Sequence, residues 1–269
     1  MKYLLTLLSF TLLPSLFAAN RFWISATASN WNNTANWSLT SGGTGGASVP
    51  AITDVAIFNV NGLGNCSVDI VATVIGMTVN GYTGVIDLNG NGITSTGANV
   101  FTSGTINDVP ATSALTINST LTTTFNGTTF GAIINCTSAR IYLSGSTFNN
   151  TLTVVKTGAG SDAGTGGNTF NGTTNISSTA VNYLMTANVN PDIFNGTLNV
   201  SNTGTNYIYL SHNAAGNQYN GNVNFESTGT SLGIRTCQGA AATATMAAGQ
   251  TFGTFGGGYT VGDLRIWRT

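Results

Sequence analysis

Charge is what this chain has least of. Only 6% of its 269 residues are Asp, Glu, Lys or Arg, against about 25% in an ordinary soluble domain. Seven cations spread along the chain make no basic patch, which argues against nucleic acid as a partner. His212 is the sole histidine, and no Ser or Cys constellation can be assigned to it, so a hydrolytic triad is not read. The three cysteines, Cys66, Cys136 and Cys237, are odd in number and fit no zinc spacing. They are predicted to be small buried hydrophobes in strands. Phosphate-loop and EF-hand patterns are missing, so no cofactor and no metal site are expected. No window carries a convincing helical period. Proline occurs four times, a scarcity that suits paired strands.

Gly, Thr and Asn stand where the charges would be. Hydrophobic residues still make up 41%, too many for a disordered polar tract. The start reads as a secretory signal over residues 1–19: a charged Lys2, an apolar run from Tyr3 to Phe17, then Ala18 and Ala19 at the cleavage region. After its removal no segment is long and apolar enough to span a membrane, and six cations face eight acids. Residues 20–65 form a second region, with three of the four tryptophans, Trp23, Trp31 and Trp37. Exposed, these rings would stack on sugars. The preferred reading is a cap, because the end of a repeat stack needs a plug of different composition. Residues 66–269 form the repeat array. The text stops at Thr269 within an apparent strand, and a longer parent protein is expected.

Thr169 to Gly221 shows the repeat most openly. Phe170, Phe194 and Tyr219 are spaced by 24 and 25 residues, each followed by Asn-Gly, and Asn182-Tyr183-Leu184 matches Asn206-Tyr207-Ile208 at 24. Traced backwards, the aromatic series is Phe101, Phe125, Phe148, Phe170, Phe194 and Tyr219, at spacings of 22 to 25. Units of that length with short runs of Val, Ile, Thr and Leu predict an all-β parallel β-helix, or β-solenoid, with coils of 22–25 residues. Equivalent residues then stack: an inward ladder of Phe125, Phe148, Phe170, Phe194 and Tyr219, and a corner ladder of Asn126, Asn149, Asn171, Asn195 and Asn220. Six residues after the aromatic an apolar residue recurs: Val154, Ile176, Val200 and Phe225.

Coil phase also tests for chemistry. Asp108 and Glu226 share a phase five coils apart, about 24 Å at about 4.8 Å per coil, too far for a carboxylate pair at a glycosidic bond. Arg140 and Asp162 fall on adjacent coils, where a surface ion pair is expected. Lys156 has no acid at its own phase on a neighbouring coil. Thr128, Thr151, Thr173 and Thr197 share a phase, as an ice-binding row would.

The units NTFNGTTNIS and IFNGTLNVSNTGTNYIYLSHNAAGNQYNG, with the opening NWNNTANWS, resemble β-strand repeat proteins exported by Bacteroidetes-type bacteria. That resemblance implies a secreted or cell-surface protein and hands over no catalytic residues. A non-enzymatic structural or adhesive role is therefore expected, with surface glycans or other cell-surface proteins as partners. The alternatives are a carbohydrate-active enzyme of the β-helical polysaccharide-lyase kind and a glycan- or ice-binding module.

Overall fold

The structure is a computed structural model that describes residues 18–162 and 164–266. The signal segment lies outside them except for Ala18 and Ala19, and Ala19 already pairs with Asp54. The chain is a parallel β-solenoid. Valine, isoleucine and threonine runs alternate inward and outward along each strand, as in the buried and half-buried positions of Leu152–Lys156 and Leu198–Asn202. Each coil pairs with the next through backbone hydrogen bonds and buries the apolar half it could not bury alone.

Four sheets build the walls. Sheet I has seven strands, from Trp37–Ser38 and Ala19–Trp23 to Arg140–Ser144. Sheet II has ten, from Ser29–Asn30 to Ala244–Met246, and sheet III nine, from Ala72–Val74 to Phe252–Tyr259. Sheet IV has four: Leu184–Met185, Tyr207–Leu210, Gly233–Thr236 and Asp263–Ile266. Sheet IV takes over the wall that sheet I leaves. The bridges Ser144–Gly166 and Gly166–Asn190 carry the coil across, and Asn182 Nδ2 reaches back to Ala159 O and Ser161 Oγ at 3.0 and 3.1 Å. The stack starts before residue 66, because Asp54–Asn59 and Ser29–Asn30 are already paired in parallel with later coils.

The inward column of sheet II measures the coil. It runs Cys66, Ile86, Ile106, Phe130, Phe148, Phe170, Phe194, Tyr219, Met246. From Phe148 to Tyr219 the steps are 22, 24 and 25 residues, as predicted. The step from Phe130 to Phe148 is only 18. Here the predicted ladder needs correction. Phe125 is not in the column: it belongs to sheet I, between Phe101 and Leu143. The five residues from Phe125 round to Phe130, followed by one short coil, imitate a full repeat. Asn126 leaves the ladder with it and pairs with Ser144. The Asn ladder is Asn149, Asn171, Asn195 and Asn220, joined amide to amide at 2.7, 2.7 and 2.8 Å.

The core is aromatic along its length. Phe130, Phe148, Phe170, Phe194 and Tyr219 stack with centroids 4.6 to 5.5 Å apart and planes within 19°. Each buried ring contributes about 1.5–3 kcal/mol by burial and about 0.5–1.5 kcal/mol more by its ring contacts. The recurring apolar residues Val154, Ile176, Val200 and Phe225 form a second column, on sheet III. The three cysteines are buried and free.

At the Trp-rich end, the three tryptophans have no exposed surface. Trp37 lies 5.3 Å from Trp23 and 4.9 Å from Trp31, edge to face, and Phe58 lies within about 6 Å of all three. Trp23 Nε1 donates to Gly64 O and Trp37 Nε1 to Trp31 O. This is the cap. It leaves no indole face for a sugar, which removes Trp23, Trp31 and Trp37 as stacking residues.

Candidate functional site

The acidic residues are held apart by structural duties. Asp108 sits at the corner between sheets II and III, accepting from Gly90 N and Ser113 N. Glu226 points outward on sheet III, accepting from Ser201 Oγ and Gly257 N, so the two share neither wall nor phase. Asp192 is buried and accepts from the backbone and side-chain nitrogens of Asn168, both at 2.9 Å. With no cation beside it, burial pushes its carboxyl up to about 6. Asp162 does not form the predicted surface pair with Arg140. It turns inward to Lys156, whose Nζ lies 3.1 Å away with both side chains fully buried. Lys156 Nζ also donates to Ala139 O and Gly160 O, and Asp162 accepts from Ile141 N. The two acids of this buried layer lie on different coils. Among the described residues, no three His, Cys, Asp or Glu side chains gather as metal ligands.

Threonine also fails to make a plane. Thr128 is buried, away from Thr151, Thr173 and Thr197. Thr105, Thr129, Thr147 and Thr169 do stack outward on sheet II, in a single column that Ile193 ends. Two shallow hollows open on the surface, one against Ser29, Asn30, Ser67 and Asp87, the other against Thr122, Arg140 and Gly160. Neither holds an acid–base pair.

The chemistry that remains collects on the outer face of sheet IV. The repeated text Asn-Tyr-Leu and Asn-Tyr-Ile supplies it. Asn182 and Asn206 each accept, through Oδ1, the backbone N–H of the tyrosine that follows. That fixes strand entry, so Leu184, Ile208 and Ile234 stack inward. Tyr207, Tyr209 and Arg235 then alternate outward. Tyr209 lies at the centre: Tyr183 is 5.8 Å away, Tyr207 5.5 Å and His212 5.0 Å, centroid to centroid. Arg235 covers Tyr207, with Cζ 3.8 Å from the ring centroid and Nη2 donating to its hydroxyl at 2.7 Å. Asp263 lies 3.4 Å from Arg235 and is also bonded by Arg265 Nε. Burial pushes the Tyr209 hydroxyl up, against the pull of Arg235.

The corner beside this face is strained. Where sheet I turns, the chain uses Gly127 and Gly145 at positive φ. Where sheet IV turns, Ala187, Ser211 and Cys237 hold φ of 48°, 50° and 52°, a region that costs a residue with Cβ about 1–2 kcal/mol. Ser211 is held there by its hydroxyl, 2.7 Å from the Tyr219 hydroxyl. The turn lays His212 against Tyr209. His212 Nδ1 meets Asn188 Oδ1 at 3.1 Å, and Asn213 Nδ2 donates to the same oxygen. That oxygen can only accept, so Nδ1 carries the hydrogen. Burial lowers the His212 pKa and favours the neutral ring.

The matching Asn-Tyr pairs were visible in the sequence as repeats, but nothing in their spacing distinguished an outward tyrosine from a core one. No protein-family model, curated protein or solved structure gives a significant match to this chain.

Proposed function

We propose that this β-solenoid is a non-enzymatic, exported repeat protein with a structural or adhesive role at a cell surface. The observation that carries the reading is the deployment of its acids. Asp108, Asp162, Asp192 and Glu226 each accept hydrogen bonds that hold one coil, or one coil to the next, and among the described residues no three His, Cys, Asp or Glu side chains gather. Catalysis of glycan cleavage needs an acid and a base within reach of one bond. The signal-like start and the resemblance to exported Bacteroidetes-type repeat proteins support the location.

The test has two arms. Purified protein incubated with a panel of polysaccharides is expected to yield no new reducing or unsaturated ends, and sustained turnover of any of them overturns the reading. Fractionation of the producing cells is expected to find the chain outside the cytoplasm with an N-terminus near Asn20. Retention in the cytoplasm with Met1 intact overturns export.

A further inference from the structure

We propose that the outer face of sheet IV binds an acidic glycan, with Tyr183 and Tyr209 as the stacking platform and Arg235, seated on Tyr207, as the carboxylate ligand. This deepens the adhesive reading and rests on it. Three features of the face point to a ligand rather than to structure.

The first is ring geometry. Tyr183, just before the strand Leu184–Met185, and Tyr209, on the next coil, lie 5.8 Å apart centroid to centroid, so the two rings step along the solenoid axis. An aromatic face suits the apolar face of a pyranose, and a tyrosine adds a polar tip. The Tyr183 and Tyr209 hydroxyls bond no other described residue. A linear polymer laid along the axis meets a new ring or donor at each coil.

The second is the state of Arg235. Stacking on Tyr207 holds its guanidinium plane in place before anything binds. Its one bond of ordinary length is to the Tyr207 hydroxyl. The contacts to Gln238 and Asp263 are both 3.4 Å, and Nε is buried without a partner among the described residues. The terminal nitrogens, held by these two long contacts and by the Tyr207 hydroxyl, are the edge that takes a carboxylate. Asp263 is shared between Arg235 and Arg265, so it only partly neutralises Arg235, which favours an acidic polymer over a neutral one.

The third is the corner. The strained turn at Ala187 and Ser211 sets His212 beside Tyr209. Strain of this kind gathers where a side chain must be aimed. With Nδ1–H bonded to Asn188, Nε2 is left as an acceptor at the rim of the strip, suited to a sugar hydroxyl. A protein partner fits less well, because protein interfaces centre on apolar anchors in pockets, and here the aliphatic side chains of the strands face inward.

The experiment is affinity electrophoresis of the full chain in gels containing polygalacturonate or a neutral glucan. Retardation by the polyuronate well beyond that by the glucan is expected. Tyr209→Ala and Arg235→Gln are each expected to weaken it by about tenfold or more, with circular-dichroism melts confirming that both variants fold. Asn199→Ala, on sheet III, is the control and is expected to bind like the parent. Absence of retardation, equal retardation by the two polymers, or undiminished retardation of both variants overturns the site. The same gels separate this from the broader reading. Shortening of the polymer with binding that depends on Tyr209 keeps the site and sinks the non-enzymatic role. Loss of the site without shortening leaves that role standing.

Discussion

On sheet III the outward amides of Asn175, Asn199 and Asn224 bond one another in file, at 2.8 Å each, and Asn175 ends on Thr153 Oγ1 at 3.2 Å. On sheet IV, one wall away, the outward groups are tyrosines, an imidazole and a guanidinium that leave hydroxyls and donors over. The backbones are alike: parallel, in register, with aliphatic residues inside. What differs is whether a side chain matches its own copy in the next coil. An amide is donor and acceptor at once and closes on its neighbour. A tyrosine above an arginine does not, and keeps capacity for something else. Self-matching columns tie coil to coil, and the mismatched one on sheet IV is the surface proposed above to bind a ligand.

The largest expected effect removes what both walls share. Phe170→Ala takes a ring from the stacked column between Phe148 and Phe194 and is expected to cost about 3–5 kcal/mol in urea unfolding. A loss below about 1 kcal/mol would mean that the coils do not depend on their aromatic file. Next, Asn199→Ala breaks the sheet III ladder in both directions and is expected to cost about 1–2 kcal/mol. Tyr209→Phe, on sheet IV, removes a hydroxyl that bonds nothing and is expected to stay within about 0.5 kcal/mol. Equal losses in these two variants would erase the contrast between the walls.

The corners give a smaller pair. Ala187→Gly takes a Cβ away from a positive φ and is expected to stabilise by up to about 1 kcal/mol, while Gly145→Ala puts one at a positive φ and is expected to destabilise by about the same. Matching signs for the two would show that the corner is not strained.

Last comes pH. The Asp192 carboxyl is raised from 3.8 to about 6 in the folded chain, so folding favours its protonated form. The stability it lends is full below about pH 4 and is lost as pH rises through about 6. Melting at pH 5 is therefore expected above melting at pH 8. In Asp192→Asn that component is expected to vanish, because an amide keeps the acceptor that Asn168 N needs. An unchanged pH profile in the variant would assign the effect elsewhere.

Much of the architecture was legible. The matches at Asn182-Tyr183-Leu184 and Asn206-Tyr207-Ile208 gave the register that the structure shows between Leu184 and Ile208, and the Asn-Gly text gave three links of the corner ladder. Phe125 was misread because residue counts measure path along the coil, not position around it. One short coil plus a shift to the neighbouring wall looks like a full period. Lys156 and Asp162 were missed because they meet within one coil, where the chain turns both inward, whereas phase compares only neighbouring coils. The tyrosine strip was hidden because short strands show which residues alternate but not which of the two sets faces out.

The coil lengths have a mechanical consequence. Neighbouring coils are joined along the axis by hydrogen bonds and stacked rings, so a pull on the two ends of the chain peels the rod from an end, one turn at a time. Each release lets out the contour of one coil. For the 24 residues from Phe170 to Phe194 that is roughly 80 Å, and for the 18 from Phe130 to Phe148 roughly 60 Å, at about 3.3–3.6 Å per residue. Stretched between two anchors, the rod would yield in such steps and take up slack while most of its turns stay folded.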